Sequence, residues 1–308
     1  MHIRQLIRHL AKPPVKSVPD WMLGCFKRRS ISFASGDCDT DTHVFWLQGR
    51  NMTIDLRLPI ELEQIPNKAL EGYSREALHA WANYEGWYAE TVWKDNLLSW
   101  QGGCSFQVHN RWPEPGIMHR VGDCMIEFSP SAAYVEDWRF KNTTSGPLMS
   151  LRLLEETECE TGVIRHRDGA LIICGEWAGL VLGRPEPIVA KADQQLRDIV
   201  NTADADLLAG IFNFECSVAQ GNIENGFTVN YTTQPARLAQ PLLSLDGFSI
   251  DAGKGQVLHR FEQAGVALER RFSIDSIETE VAFTRSTPVE ETAKRWFAEE
   301  QETLGRYF

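Results

Sequence analysis

The chain has 308 residues, a length that suits roughly two domains, with 43% hydrophobic and 24% charged residues, the proportions of an ordinary globular protein. Its net charge of −11 is uneven: residues 1–145 carry 16 Lys and Arg against 17 Asp and Glu, whereas residues 146–308 carry 15 against 25. An acidic second half repels phosphates, so neither a nucleic acid nor an anionic membrane surface is expected as a partner.

Residues 1–12 place Ile3, Leu6, Ile7 and Leu10 at helical spacing, with Arg4, Arg8 and Lys12 on another face. A basic amphipathic helix can lie on a membrane, but at this length docking on its own domain is the expectation. Pro13, Pro14 and Pro19 then break the helix and lead to the first strand. No apolar run in the first 30 residues suits a signal peptide, and none in the chain approaches the ~20 residues of a membrane span. Seven cysteines, an odd number without a CxxC pair, point to a reducing cytoplasm rather than a disulfide scaffold.

From Phe26 the period changes to two. Strands are predicted over 26–34, 42–48, 51–58, 86–93, 96–101, 104–110, 116–121, 123–128 and 132–140, most of them separated by turns such as Asp95-Asn96 and Gly122-Asp123. The clearest pattern is in 51–58, where Met52, Ile54, Leu56 and Leu58 share one face and Thr53, Asp55 and Arg57 share the other. Between residues 60 and 85, Leu70, Tyr73, Ala77, Leu78 and Trp81 recur every three or four positions, which predicts a helix of about three turns covering one end of a barrel.

Residues 141–147 read as a linker. Strands follow at 148–156, 161–167, 169–174 and 176–182, with Arg167-Asp168-Gly169 as a hairpin turn, then a helix near 191–202 and strands at 208–218, 226–232, 255–261, 266–274 and 278–284. Thr287-Pro288-Val289-Glu290 has the form of a capping box. The helix it starts carries a stripe of Val289, Ala293, Trp296, Phe297 and Leu304 that calls for burial on the second half, and Gly305 can end it. The resulting division is 1–20 helix and connector, 21–145 first barrel, 146–286 second barrel and 287–308 terminal helix. The fold class is mainly β, two antiparallel lipocalin-like or streptavidin-like β-barrels with peripheral helices, because closure removes the exposed edges of many short strands. A two-layer sandwich is the alternative.

The sequence contains no GxSxG, no phosphate-cradling glycine loop and no HxxH pair. Asp37, Asp39 and Asp41 alternate as in a calcium loop, but Thr42 stands where that loop needs Gly and Gln48 where it needs Glu, so a solvated turn is expected. His43 lies near Cys38, yet no further ligands complete a metal site. No cofactor and no metal are expected.

Eight of the ten tryptophans precede residue 140 (Trp21, Trp46, Trp81, Trp87, Trp93, Trp100, Trp112 and Trp138), a density that reads as an aromatic core before it reads as an aromatic-lined cavity. The candidate site consists of polar residues alternating within the strands: Asp55, Arg57, Gln107, Glu127, and Tyr134 with Glu136, which share a face with Trp138. If that face lines a barrel interior, Glu136 pairs with Arg57 and orients a small apolar or amphipathic ligand against Trp46 and Trp100. If the apolar faces point inward, Asp55 and Arg57 are a solvated pair, and for those two this reading is favoured. The expected function is non-enzymatic binding of a small, partly apolar ligand. One alternative is a scaffold presenting the acidic second half and terminal helix to a protein partner or a second copy. A less favoured one is a hydrolase or isomerase with Asp55 or Glu136 as base and Arg57 as oxyanion partner.

Gly175-Glu176-Trp177 resembles the Gly-x-Trp signature of lipocalins, four strands into the second half instead of at the start of a barrel. The run Val44-Phe45-Trp46-Leu47-Gln48, with Asp55-Leu56-Arg57-Leu58-Pro59 and Tyr134-Val135-Glu136-Asp137-Trp138, resembles a family of bacterial proteins and is similar in outline to the HRI1-like proteins of two lipocalin-like barrels. The resemblance covers about residues 26–235 and implies tandem barrels; it implies no activity.

Overall fold

The computed structural model describes residues 1–14, 17–109 and 113–307. Trp112, the last residue of the predicted strand 104–110 and the last residue of the predicted terminal helix lie outside them. Helix α1 (Ile3–His9) is followed by nine strands: β1 (Gly24–Phe33), β2 (Cys38–Asp39), β3 (His43–Gln48), β4 (Met52–Leu58), β5 (Glu85–Lys94), β6 (Leu97–Ser105), β7 (Gly116–Val121), β8 (Cys124–Phe128) and β9 (Tyr134–Phe140), with α2 (Arg75–Ala82) between β4 and β5. Apart from the short edge strand β2, they run in chain order, and β1 also pairs with β9 from Phe26 opposite Phe140 to Phe33 opposite Tyr134. The first half is therefore a closed eight-stranded antiparallel barrel. Its hairpins fall where turn chemistry places them: Asp95 and Asn96 both take the left-handed conformation that a tight hairpin requires, as does Gly122.

The second half contains β10 (Gly146–Glu158), β11 (Ile164–Cys174), β12 (Trp177–Leu182), α3 (Leu196–Thr202), α4 (Ala205–Phe212), β13 (Glu215–Asn222), β14 (Gly226–Thr232), β15 (Phe248–Asp251), β16 (Gln256–Gln263) and β17 (Val266–Val281). Its strand order is β14-β13-β12-β11-β10-β17-β16-β15, and among the described residues the two end strands do not pair with each other. The expected second barrel is thus an open sheet. What occupies its inner face is α1, whose Ile3, Leu6 and Ile7 are buried in one cluster with Phe227 and Val229 of β14, Phe248 of β15 and Phe272 of β17. The chain start is tied to that edge by hydrogen bonds between Met1 and Phe248 and from the Ile3 N–H to the Leu245 carbonyl. A helix laid between two sheet edges buries apolar surface that strand-to-strand closure would otherwise have to cover.

Other expectations are corrected by tertiary contacts. The Arg167-Asp168-Gly169 turn does not form; β11 runs through it, with Asp168 at φ 57° and Gly169 at φ 149° forming a bulge. Strands on both sides hold that stretch extended, with Gly169 opposite both Leu153 and Leu182. Residues 208–212 are helical, as part of Ala205–Phe212, where a strand is predicted, and 266–274 with most of 278–284 merge into the single long β17. The predicted helix of 60–85 is shorter, with only Arg75–Ala82 in α-form. The terminal helix α5 (Glu291–Glu299), followed by the short α6 (Gln301–Leu304), begins after Glu290, because Thr287 Oγ1 accepts instead from the Gly122 N–H at 3.1 Å. No residue of α5 is buried, so its stripe does not pack on the second sheet; Trp296 and Phe297 are exposed.

Barrel and sheet meet face to face along β3, β4 and β5. A Cβ on Gly86 would lie 2.5 Å from Cys216 Cβ, and one on Gly179 would lie 3.1 Å from Ile54 Cδ1, so glycine is what permits the approach. One continuous apolar cluster spans this interface, with Leu47, Ile54 and Leu56 from the barrel and Ile172, Val181 and Val218 from the sheet.

Candidate functional site

Strand β4 is buried along its whole length. Met52, Ile54 and Leu56 belong to the apolar cluster shared with the second sheet, which leaves the other face of the strand, Thr53, Asp55 and Arg57, for the barrel interior. The favoured solvated reading of Asp55 and Arg57 is therefore corrected: both are buried. The barrel has an inside of polar and tryptophan side chains, and its apolar outside is covered by the sheet.

A chamber in the barrel is lined by Trp46, Thr53, Asp55, Arg57, Trp87, Trp100, Glu127, Tyr134, Glu136 and Trp138. Seven of the eight predicted site residues thus come together; Gln107 does not. It follows β6, where its Nε2 donates to the carbonyls of Ala82 at 2.9 Å and Tyr84 at 2.6 Å and so ties the end of α2 to the barrel. Glu136 and Arg57 do act on each other electrostatically, but the hydrogen bonds described run to other groups. Arg57 Nε donates to Asp55 Oδ1 at 2.8 Å, while Glu136 Oε1 accepts from Arg28 Nη1 at 2.8 Å, and Arg28 reaches Asp39 as well. Asp39 also accepts from the N–H groups of Asp41 and Thr42, so the aspartate-rich turn supports an arginine. Among the described residues no cluster of His, Cys, Asp and Glu has the form of a metal site.

Burial dominates the electrostatics. It pushes the Asp55 carboxyl above its ordinary range, and the Arg57 charge offsets this only in part. Burial acts against the Arg57 charge too, but Asp55, Glu136 and Glu85 more than compensate, and the guanidinium stays ionised. Glu127 stands directly across the strand pair from Glu136. Burial first, and then that neighbouring carboxylate, hold Glu127 well above the usual range and toward its protonated form. Tyr134 Oη donates to Glu127 Oε1 at 3.2 Å.

The chamber has a volume of only about 10 Å³, room for roughly one water. Tryptophans fill the rest: Trp46 packs edge-on to Trp138 at 5.3 Å and to Trp100 at 6.3 Å, and Trp87 packs edge-on to Trp100 at 6.1 Å. Larger space lies outside. A cavity of about 280 Å³ is bounded by the same Trp87 and Trp100 together with Glu85, Gly102, Gly103 and Gln107. At the barrel mouth, a hollow of about 440 Å³ is lined by Arg28, Asp39, Arg57, Tyr84 and Glu85.

The 280 Å³ cavity has a local cause. Gly102 and Gly103 both take left-handed backbone opposite Ala89, so β6 bulges away from β5 between the pairs Tyr88–Cys104 and Glu90–Gln101. On its other edge β6 meets β7 only through Leu97 with Ile117 and Leu98 with Gly116. Among the described residues this is the most sparsely paired seam of the barrel wall, and Trp100 stands beside it.

Trp138 and Thr53, on the same faces as Glu136 and Asp55, join the site as their alternation implies. Arg28 and Trp87 join it without having been singled out. Arg28 is hidden by a register shift before Ser30 that changes which face the later residues of β1 occupy. No family model, no curated protein and no solved structure matches the chain.

Proposed function

We propose that the protein is a non-enzymatic, lipocalin-like binding protein for a small, partly apolar ligand, and that the ligand sits in the 280 Å³ cavity against Trp87 and Trp100. The observation that carries this reading is that cavity: an aromatic wall with a few polar groups, opened by a glycine bulge beside the sparsely paired seam of a closed barrel. The barrel centre is too full to serve, and the same fact counts against a hydrolase or isomerase, since a substrate finds no room beside Asp55 or Glu136. A thermal-shift screen with native mass spectrometry tests the reading. A ligand present at 100 times its Kd adds about 2.7 kcal/mol of stability, and Trp100→Ala should abolish that gain. A screen without any bound or stabilising small molecule, and without change in tryptophan fluorescence, rejects the proposal.

A second reading, a scaffold that presents the acidic second half and terminal helix, is favoured by the exposed stripe of Val289, Trp296 and Phe297. Pull-downs with the full chain and with a chain lacking residues 289–308 separate the two cases; identical partner lists reject a role for the helix.

A further inference from the structure

The hydrogen-bonding capacity left unused around the small chamber restricts what a ligand can place there. Among the described residues, Trp138 is 1% exposed and its Nε1 has no acceptor, and the Nε1 of Trp100, shut off from solvent, has none either. Both residues line the chamber. Trp46 is the contrast, because its Nε1 donates to Thr53 Oγ1 at 2.6 Å and to Gln48 Oε1 at 3.0 Å. Buried donors without partners are rare in native proteins, since each loses its bond to water for nothing. An acceptor in the chamber, a water or a ligand hydroxyl, would complete them.

The rest of the lining narrows its chemistry. Among the described residues three carboxyl groups face the chamber, Asp55, Glu127 and Glu136, against the single lining guanidinium of Arg57, which Asp55 already engages. An anionic head meets Asp55 and Glu136, whose arginine partners Arg57 and Arg28 are already engaged, and the lining described offers it no second guanidinium. An ammonium head has no lone pair to offer an indole N–H. A neutral hydroxyl both accepts from an indole and donates to a carboxylate, and it is about the size of the one water the chamber admits.

Resting on the small-molecule reading above, we propose that the chamber is the subsite for the hydroxyl of a neutral alcohol whose aryl or alkyl body fills the 280 Å³ cavity across Trp87 and Trp100. The hydroxyl enters beside Trp100, where residues 99–105 of β6 have no partner in β7. Carboxylate amphiphiles such as fatty acids should bind less tightly than a neutral alcohol of the same body.

The test is a matched series of 3-phenylpropan-1-ol, propylbenzene, 3-phenylpropanoate and 3-phenylpropylammonium. Each is titrated against the full chain by tryptophan fluorescence, with the indole N–H resonances of Trp100 and Trp138 followed by NMR. The alcohol should bind about tenfold or more tighter than the hydrocarbon and the carboxylate, the value of one well-made buried hydrogen bond, and should shift an indole resonance that propylbenzene leaves in place. In Trp138→Phe or Trp100→Phe the ratio of alcohol to hydrocarbon affinity should collapse toward one; two variants guard against a failure of either to fold. The subsite is overturned if the ammonium or the carboxylate ranks first, or if the ratio survives in both variants. Equal binding of all four overturns the subsite and leaves the cavity standing as a ligand site. Binding of none overturns it as well, and the cavity reading then stands or falls on the wider screen.

Discussion

Glu127 and Glu136 show at the level of single residues how a fold can hold an ionisable group in the less common protonation state. Both are buried, they face each other across a strand pair, and Arg28 engages Glu136. A carboxyl whose folded pKa is raised contributes stability below its unfolded value, near 4.5, and that contribution is lost as pH climbs through the folded value. Glu127 therefore makes the protein less stable as pH rises from about 4.5. Glu127→Gln does not titrate and keeps an oxygen for the Tyr134 hydroxyl. Its stability relative to the unsubstituted protein should rise with pH, so urea unfolding at pH 5 and pH 8 should show the larger advantage at pH 8. A difference that is constant or reversed would mean that Glu127 is ionised in the fold.

Two helices of similar amphipathic pattern meet opposite fates at the level of elements. Helix α1 is short and is capped by His2, which accepts from the Arg4 N–H, yet Leu6 is fully buried between the edges of the second sheet. Leu6→Ala should cost about 2–5 kcal/mol, the range for emptying a core leucine site, measurable as a lower urea midpoint with similar slope. Helix α5 carries an apolar stripe too and has no buried residue. Removing residues 289–308 should therefore change stability by no more than about 0.5 kcal/mol, leaving the contacts of Arg285 with Asp123 and of Thr287 with Gly122 in place. A larger loss would show that the stripe is covered after all. Amphipathic spacing makes both helices legible in the sequence, but it does not say whether a complementary groove exists.

Barrel and sheet behave as one body at the scale of the whole molecule, because the apolar outside of the barrel is the inside of the protein. Ile54 and Leu47 pack on the second sheet, and the Cys216 thiol lies 3.6 Å from the Asp55 carbonyl across the interface. Gly86→Ala would press a methyl group into Cys216 at 2.5 Å. It should destabilise by about 1–3 kcal/mol, with the loss shared by both halves, seen as one calorimetric transition moving to lower temperature. Two separated transitions in the variant would mean that the halves are stable independently. The seam between β6 and β7 is the complementary feature, a place where the barrel wall is held by two residue pairs beside the proposed ligand cavity.

The strands of the first half, their hairpins and the members of the site were largely legible in the residues themselves, because alternation and turn chemistry are local. Asp55, Arg57, Glu127, Tyr134 and Glu136 stand out since each is a polar residue in a period-two run. What alternation does not reveal is which of two distinct faces points inward. That was decided by the second sheet, which covers Ile54 and Leu56 and so turns Asp55 and Arg57 into the barrel. Arg28 escaped because a register shift breaks the period, and the turn at Arg167-Asp168-Gly169 was overruled by strands that flank β11 on both sides. The many short strands of the second half favour a barrel because closure removes their exposed edges; whether the edges meet or a helix fills the space between them depends on contacts between residues more than two hundred positions apart, such as Ile3 with Leu245. The local code set the strands and the chemistry they carry, and the packing of one sheet on the other chose the inside.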